Sequence, residues 1–498
     1  MEIKKILVAN RGEIAIRIMR TAKDMGIKTV AIYSEADRNA LHLRFADEAV
    51  LVGAPAPTFS YLNMDKIIQV ALSLNVDAIH PGYGFLSENA LFAQKIKDAG
   101  LIFIGPSPTA IETMGSKLKA KETAASHQIP LVPGTETAIT DMQEARKIAG
   151  EIGYPILIKA SAGGGGKGMR LVEHANDFED QMKRAVSEAM AAFGDGAVFI
   201  EKYIRSPKHI EIQILGDQHG NIVHLFEREC SIQRRHQKLV EEAPSAVLSP
   251  TIRKQMGDHA VKIAKACNYY SAGTVEFIMD ENFNYYFLEI NTRLQVEHPV
   301  TELITGVDLV KEQILIAEGK PLSFSQEDLK IKGHAIELRV CAEDPLNNFL
   351  PHTGLITNYI TPKGPGVRVD DGYEQNLEVS IYYDPMIAKL ICYGTTRDEA
   401  ISRMQRAIDE YQITGIATTL SFGKFVMQHE SFQSGKFDTQ FIANYFTPNS
   451  LAPSVNSETE KVAVYIADLL FHQKSSSTNN ISPPAEHKTN WGIRKVFK

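Results

Sequence analysis

Short β-branched, apolar runs alternate with amphipathic stretches along the first hundred positions: KKILVAN, EIAIRIMRTAKDMG, KTVAIYS, VDAIHP and LIFIGPS, with turn residues between them. Apolar runs of this kind separated by segments of helical period predict a parallel sheet with helices on both faces. The rhythm changes after Met114, where a helical stretch ends in the linker-like QIPLVPGT. A helix through Ala145–Ile152, the strand YPILIKA, the glycine run SAGGGGKG, the strand MRLVE, a helix around Phe178–Met190 and the strand AVFIEKYI follow, a small α+β unit with a glycine tip. Such a unit has the build of a lid. HIEIQILG and IVHLFERE flank DQHGN, and TVEFIMD and YYFLEIN flank ENFN, which predicts two antiparallel hairpins. A helix follows Gly306. From about His334 come short strands and turns, among them GPGVRVDDGY and YYDPMIAKLICYG, and the helix RDEAISRMQRAIDEY. The folded body is expected to end near Tyr445, and the Ser/Asn/Pro-rich QKSSSTNNISPPAEHK predicts a partly disordered tail.

Composition narrows the class. The 498 residues suit a multi-domain globular protein, and a net charge of −7 provides no global positive field for nucleic acid or an anionic membrane. Cys230, Cys267, Cys341 and Cys392 form no CxxC pair, as expected of a reduced, intracellular chain. Arg11, Glu13 and Arg17 interrupt any signal-peptide core, and no later window approaches the roughly eighteen apolar residues of a membrane span. A cytoplasmic protein with neither nucleic-acid nor membrane partners is expected.

The chemistry concentrates in three segments. Gly163, Gly164, Gly165, Gly166, Lys167 and Gly168 let backbone N–H groups approach phosphate oxygens that side chains would block. The run is not a Walker A loop, because Gly168 follows Lys167 and position 161 is Ser. It is not a dinucleotide fingerprint either, because a strand follows it. The turn after the first strand, NRGEIA, also lacks GxGxxG, so the first domain is not expected to bind a dinucleotide. In the second segment, an extended chain over 287–297 places Glu289, Asn291, Arg293, Gln295 and Glu297 on one face and Leu288, Ile290, Leu294 and Val296 on the other. Glu276 lies across the hairpin from Glu289, and a shared Mg²⁺ relieves the repulsion of two facing carboxylates. Glu276, Glu289 and Asn291 are therefore candidate metal ligands, Arg293 and Gln295 candidate holders of a small planar anion, and Glu297 a candidate base. The third segment, RECSIQRRHQK, lacks interleaved aromatics and is flanked by acids, which favours anion handling in a cleft over nucleic acid. His80 and His209, on residue type alone, read as structural histidines.

KILVANRGEIAIRI, HPGYGFLSEN, KASAGGGGKGMR, HIEIQILGD, RECSIQRRHQK and LEINTRLQVEHPVTE stand in order, and from Ile6 to about Tyr445 the chain resembles the biotin carboxylases of the ATP-grasp superfamily. The resemblance implies a multi-domain α/β and α+β fold. Residues 1–114 would be a Rossmann-like N-terminal domain, 115–330 an ATP-grasp domain with its lid at about 133–204, 331–446 a C-terminal biotin carboxylase domain, and 447–498 a tail. It implies ATP contacts from Lys117, Lys159, Gly164, Gly165, Gly166, Lys167, Gly168, Glu201, Lys202, Tyr203, Ile204, His209, Gln233, His236, Glu276, Ile278 and Glu289. Mg²⁺ or Mn²⁺ would sit on Glu276, Glu289 and Asn291. Lys238, Arg293, Gln295, Val296, Arg339 and Tyr83 would face bicarbonate and biotin, with Glu297 the base and Arg339 beside the biotin enolate.

The implied reaction is attack of deprotonated bicarbonate on the ATP γ-phosphate to give carboxyphosphate, followed by carboxylation of biotin. The absence of an AMKM-type biotinylation sequence leads to the expectation that the biotin carboxyl carrier protein and the carboxyltransferase subunits are separate chains; a homodimer is expected. Acetyl-CoA, propionyl-CoA and pyruvate remain open as final acceptors. Two other classes compete: an ATP-grasp ligase of the carbamoyl-phosphate or purine-biosynthesis kind, and a non-catalytic nucleotide-binding regulatory subunit. Arg339 and the RLQVEH run speak against the first, and an unbroken ligand set against the second.

Overall fold

Five short strands that are apolar on both faces need cover on both sides. The computed structural model, which describes residues 2–135, 137–160, 169–193, 196–235, 237–451 and 461–466, provides it. The strands β1 (Lys5–Val8), β2 (Lys28–Ser34), β3 (Glu48–Gly53), β4 (Ala78–His80) and β5 (Ile102–Phe103) form an all-parallel sheet in the order β3-β2-β1-β4-β5. Helices α1 (Gly12–Asp24), α2 (Met64–Ser73) and α3 (Ala90–Asp98) connect it, and the core divides into two apolar clusters, one holding Ile14 and Ile18 of α1, the other Ile67 and Phe92 of α2 and α3. The turn after β1 carries no phosphate-binding glycine pattern. Asn10 fills it instead, its Nδ2 donating to the carbonyls of Pro81 and Tyr83 at 2.8 and 2.7 Å, which ties the turn to the HPGYG loop.

The helices α4 (Pro108–Gly115) and α5 (Lys117–Ser126) lead to the expected small unit: α6 (Met142–Ile152), β6 (Ile156–Ala160), β7 (Met169–Val172), α7 (Phe178–Phe193) and β8 (Val198–Lys202). Its sheet runs β7-β6-β8, all antiparallel, over a core of Ile156, Ile158, Val172, Phe178 and Ile200. Both predicted hairpins are present, β9 (Lys208–Gly216) with β10 (Ile222–Arg234), and, after β11 (Gln237–Ala243) and the helix α8 (Pro250–Ala266), β12 (Ser271–Met279) with β13 (Tyr285–Asn291).

The region beyond His334 differs from the expected short strands. After helices α9 (His298–Thr305) and α10 (Leu309–Ala317), β14 (His334–Cys341) runs eight residues; beyond it come β15 (Val367–Asp371) and the nine-residue β16 (Met386–Gly394), covered by α11 (Arg397–Glu410). These strands extend the hairpin sheet into one antiparallel surface, in the order β13-β12-β9-β10-β11-β14-β16-β15. The reason is the pairing of β11 with β14 over Val240–Ala243, which carries the ladder past the end of the hairpins without a break.

Buried ion pairs fasten the parallel sheet's first helix to this surface. Arg17 on α1 donates to Glu302 on α9 at 2.7 Å and to Asp308, the N-cap of α10, at 2.8 Å, while Arg368 on β15 reaches the second oxygen of Glu302 at 2.8 Å. The chain divides into two units, 1–451 and 452–498; in the second, residues 461–466 are helical with exposed side chains. Removing one member of a buried pair strands the other, at a cost of about 3–5 kcal/mol. The substitution R17M, which leaves Glu302 buried with one partner fewer, is accordingly expected to lower the urea midpoint well below native; an unchanged midpoint would show that Arg17 is not a structural tie.

Candidate active site

Period-two alternation puts polar side chains on one face of otherwise apolar strands. His209, Glu211 and Gln213 alternate with Ile210, Ile212 and Ile214 on β9, and Thr274 and Glu276 occupy the matching face of β12, with Glu276 opposite Glu211 and Thr274 opposite Gln213. On the other side of β12, Glu276 pairs directly with Glu289 and Thr274 with Asn291, the register expected from the hairpin. The third contributor is Lys238, at the start of β11.

The buried Lys238 ammonium is the hub. It donates to Glu211 at 2.5 Å, Glu297 at 2.7 Å and Glu276 at 3.0 Å. Glu276 also accepts from His209 Nε2 at 2.9 Å, Asn291 Nδ2 at 2.7 Å and Gln295 Nε2 at 2.9 Å. Glu211 is shared with Arg228, fully buried on β10, whose other N–H groups reach Gln213, Thr301, Thr274 and Gln295. Glu297 is held from the far side by Arg339 on β14, Nη2 to Oε2 at 2.9 Å, and Arg339 Nε donates to Glu241 at 2.6 Å. Burial alone would raise the Glu276 and Glu297 carboxyls. Lys238 outweighs it, aided at Glu276 by His209 and at Glu297 by Arg339, and both sit well below the usual carboxylate range. Burial pushes Glu241 up to about 7 despite Arg339.

The segment 287–297 is not one strand. β13 ends at Asn291, because the Thr292 N–H leaves the ladder for Glu88 Oε1 at 3.0 Å and the chain turns toward the parallel-sheet domain. The loop that follows ends at Glu297, the N-cap of α9. Convergence survives for Asn291, Gln295 and Glu297. Arg293 instead lies at the rim, its Nε on Glu88 Oε2 at 2.8 Å and Nη2 on Asn291 Oδ1 at 3.4 Å. Val296 presents its carbonyl to Lys389 at 3.0 Å.

The remaining sequence candidates fall around this centre. Gln233 donates to the Cys230 carbonyl at 2.8 Å and to His209 Nδ1, so His209 belongs to the site and not to a purely structural core. His80 is structural: it is fully buried, accepts from the Gly82 N–H at 3.0 Å, and burial lowers it to about 3, leaving it neutral. Lys159 ends β6 and pairs with Glu201, which Lys121 also binds at 2.6 Å. The Lys202 ammonium turns away, to the carbonyls of Gly153 and Tyr154 at 2.9 and 3.1 Å. Tyr203 and Ile204 follow β8, half-buried, and Ile278 pairs with His209 across β12 and β9. The Tyr83 ring lies 5.8 Å from the Lys389 ammonium. Lys117 opens α5, while its side chain, His236 and the run Gly164, Gly165, Gly166, Lys167 and Gly168 lie outside the described residues.

A divalent cation fits the donor set. Ligand atoms of His209, Glu211 and Glu276 lie within 4.8 Å of one another among the described residues, and Glu289 faces Glu276 across the hairpin. Hard oxygen donors on one wall with an open side suit Mg²⁺ shared with phosphates. Glu211, Arg228 and Glu241 escaped the sequence reading, although the alternation in HIEIQILG was a usable sign for Glu211.

A two-hairpin sheet with a small α+β lid and a carboxylate wall defines the ATP-grasp class. Residues 2–111 match the family model for the biotin carboxylase N-terminal domain, 116–325 that for the carbamoyl-phosphate synthase L chain ATP-binding domain, and 337–444 that for the biotin carboxylase C-terminal domain. Biotin carboxylase 1 of Bacillus subtilis is 54% identical over 444 residues, 89% of this chain and 99% of its own length. The methylcrotonoyl-CoA carboxylase α-subunit of Dictyostelium discoideum is 48% identical over 493 residues, 99% of this chain and 70% of its own length. A solved biotin carboxylase domain of a thermophilic 2-oxoglutarate carboxylase, bound to bicarbonate, matches with a TM-score of 0.88 at 47% identity, covering 91% of this chain and all of that one. The chain belongs to the biotin carboxylase family.

Exchanging Lys238 for Met leaves Glu211, Glu276 and Glu297 facing each other without their shared cation, which raises their carboxyl pKa values. A raised carboxyl pKa makes the folded state bind more protons than the unfolded chain, so stability falls as pH rises. K238M should therefore lose little thermal stability relative to native near about pH 5 and much more near about pH 8, with Mg²⁺ recovering part of the loss. An equal loss at both pH values would contradict the shared-cation account.

Proposed function

We propose that the chain carboxylates the biotin of a carboxyl carrier protein, using ATP and bicarbonate, with Glu297 as the base. The observation that carries this reading is the unbroken line Glu276, Lys238, Glu297, Arg339. It joins a metal-binding carboxylate to a buried base and then to an arginine, each in hydrogen-bonding contact with the next. Released from Glu88, the Arg293 guanidinium can hold a planar bicarbonate between itself, Gln295 and Lys238. Glu297, kept ionised by Lys238 and Arg339, takes the bicarbonate proton, and the resulting nucleophile attacks the γ-phosphate to give carboxyphosphate. Mg²⁺, when bound at Glu276 and Glu289, neutralises charge on the transferring phosphate.

Lys159, paired with Glu201 in the ligand-free chain, is the lid's cation for ATP phosphate, and lid closure excludes water while carboxyphosphate breaks down. The phosphate released then takes the ureido proton of biotin, and Arg339 lies where it stabilises the enolate. The domain division at about 114 and 330, the lid at 133–204, the pairing with carrier and carboxyltransferase subunits, the dimer and the cytoplasmic location belong to the same proposal. For the acceptor, the match to methylcrotonoyl-CoA carboxylase α-subunits runs through the last fifty residues, past the reach of the biotin carboxylase 1 match, which favours an acyl-CoA over pyruvate.

The native protein is expected to hydrolyse ATP only when bicarbonate and free biotin are both present. E297Q should retain nucleotide binding while its turnover falls by about 10²-fold or more. Near-native turnover in E297Q would remove the base assignment, and ATP hydrolysis indifferent to bicarbonate would remove the function. Reconstituted with its carrier and transferase, the protein should pass label from [¹⁴C]bicarbonate to a branched enoyl-CoA; exclusive labelling of pyruvate would overturn the acceptor.

A further inference from the structure

A single lysine stands in the apolar run MIAKLICYG of β16, and its side chain is fully buried. Lys389 pairs across the sheet with Arg339 on β14 and with Asp370 on β15. The two neighbouring cations grip consecutive residues of the loop 292–297: Arg339 holds the Glu297 carboxylate at 2.9 Å, and the Lys389 ammonium holds the Val296 carbonyl at 3.0 Å. Behind it lie Glu13, from the first turn of α1, at 3.2 Å, and Asp370 at 3.8 Å, the latter already bidentate with Arg368.

Burying an ammonium against one carbonyl and one carboxylate is a costly way to hold a fold together, since apolar packing of the same volume is often no less stabilising. Both Glu13 oxygens are buried and make no hydrogen bond within the usual criteria among the described residues; burial raises its carboxyl to about 7, with Lys389 the largest opposing influence. Glu337, on the same face of β14, is likewise buried and unpartnered. Charge is thus arranged around Lys389 in excess of what packing needs, at the point where α1, the C-terminal strands and the loop bearing the base meet.

We propose that Lys389 is a positioning residue for carboxylation: by fixing the Val296 carbonyl against Glu13 and Asp370, it sets the loop that presents Gln295 and Glu297 to bicarbonate. The inference rests on the function proposed above. Lys389 touches neither Lys159, Glu201, His209 nor Glu276 by any hydrogen bond or ion pair described, so its loss should bear on bicarbonate and not on nucleotide. A displacement of the base of about 1 Å is enough to cost up to about 10²-fold in rate.

Two variants test this in the full chain, K389M and E13Q/K389M, the second removing the carboxylate that the first would strand. ATP hydrolysis in the presence of free biotin gives KM for bicarbonate and for ATP separately, and melting curves report folding. Both variants are expected to fold, to raise the bicarbonate KM by about tenfold or more with a lower kcat, and to keep the ATP KM within about twofold of native. A bicarbonate KM within about twofold of native in folded E13Q/K389M, a parallel rise for both substrates, or loss of folding in both variants would each overturn the positioning role. Native protein without bicarbonate-dependent hydrolysis would instead defeat the underlying function.

Discussion

Three buried carboxylates, Glu211, Glu276 and Glu297, share one ammonium, and the rest of the molecule is arranged around that constraint. Like charges so close, away from water, cannot all remain ionised without compensation. Lys238 supplies the central charge, Arg228 and Arg339 the flanking ones, and His209, Asn291 and Gln295 fill remaining acceptor sites on Glu276. The result is a preorganised set of ionised acids beside fixed cations. Such a set can exchange its internal partners for a metal, phosphates and bicarbonate with little rearrangement of the backbone.

Rigidity comes from the sheet. β9, β10, β11, β12 and β14 present Glu211, Arg228, Lys238, Glu276 and Arg339 from adjacent strands of one antiparallel surface, so their separations are set by ladder geometry. Only the residues on the loop 292–297 lack that support, and it is there that tertiary ties accumulate: Glu88 on the Thr292 N–H, Arg339 on Glu297 and Lys389 on the Val296 carbonyl. The ties come from the parallel-sheet domain on one side and the C-terminal strands on the other, which explains why the reacting groups need all three regions.

Much of this was legible in the residues. The parallel sheet followed from apolar runs alternating with helical stretches, and the Glu276 to Glu289 register from two strands around ENFN, because both signals are local. The path of 292–297 was not legible. Its alternation continues the strand pattern, but the chain leaves the ladder for a carboxylate two hundred residues earlier in sequence, and no local propensity encodes that partner. Glu211 and Lys389 share a different fate. Each is a lone charge in an apolar strand, a pattern that signals a buried, partnered group, yet which partner it takes depends on strand order, and strand order joins β11 to β14 across nearly a hundred residues. Arg228, hidden in a run of charges, gave no sign that it alone would be wholly enclosed.

The central claim is that these ionised groups turn bicarbonate into a nucleophile toward the γ-phosphate. Its most direct measurement is the fate of oxygen when the protein turns over ATP with biotin and ¹⁸O-labelled bicarbonate in unlabelled water. The account predicts one ¹⁸O atom in each phosphate released. Phosphate whose new oxygen comes from water alone would contradict it.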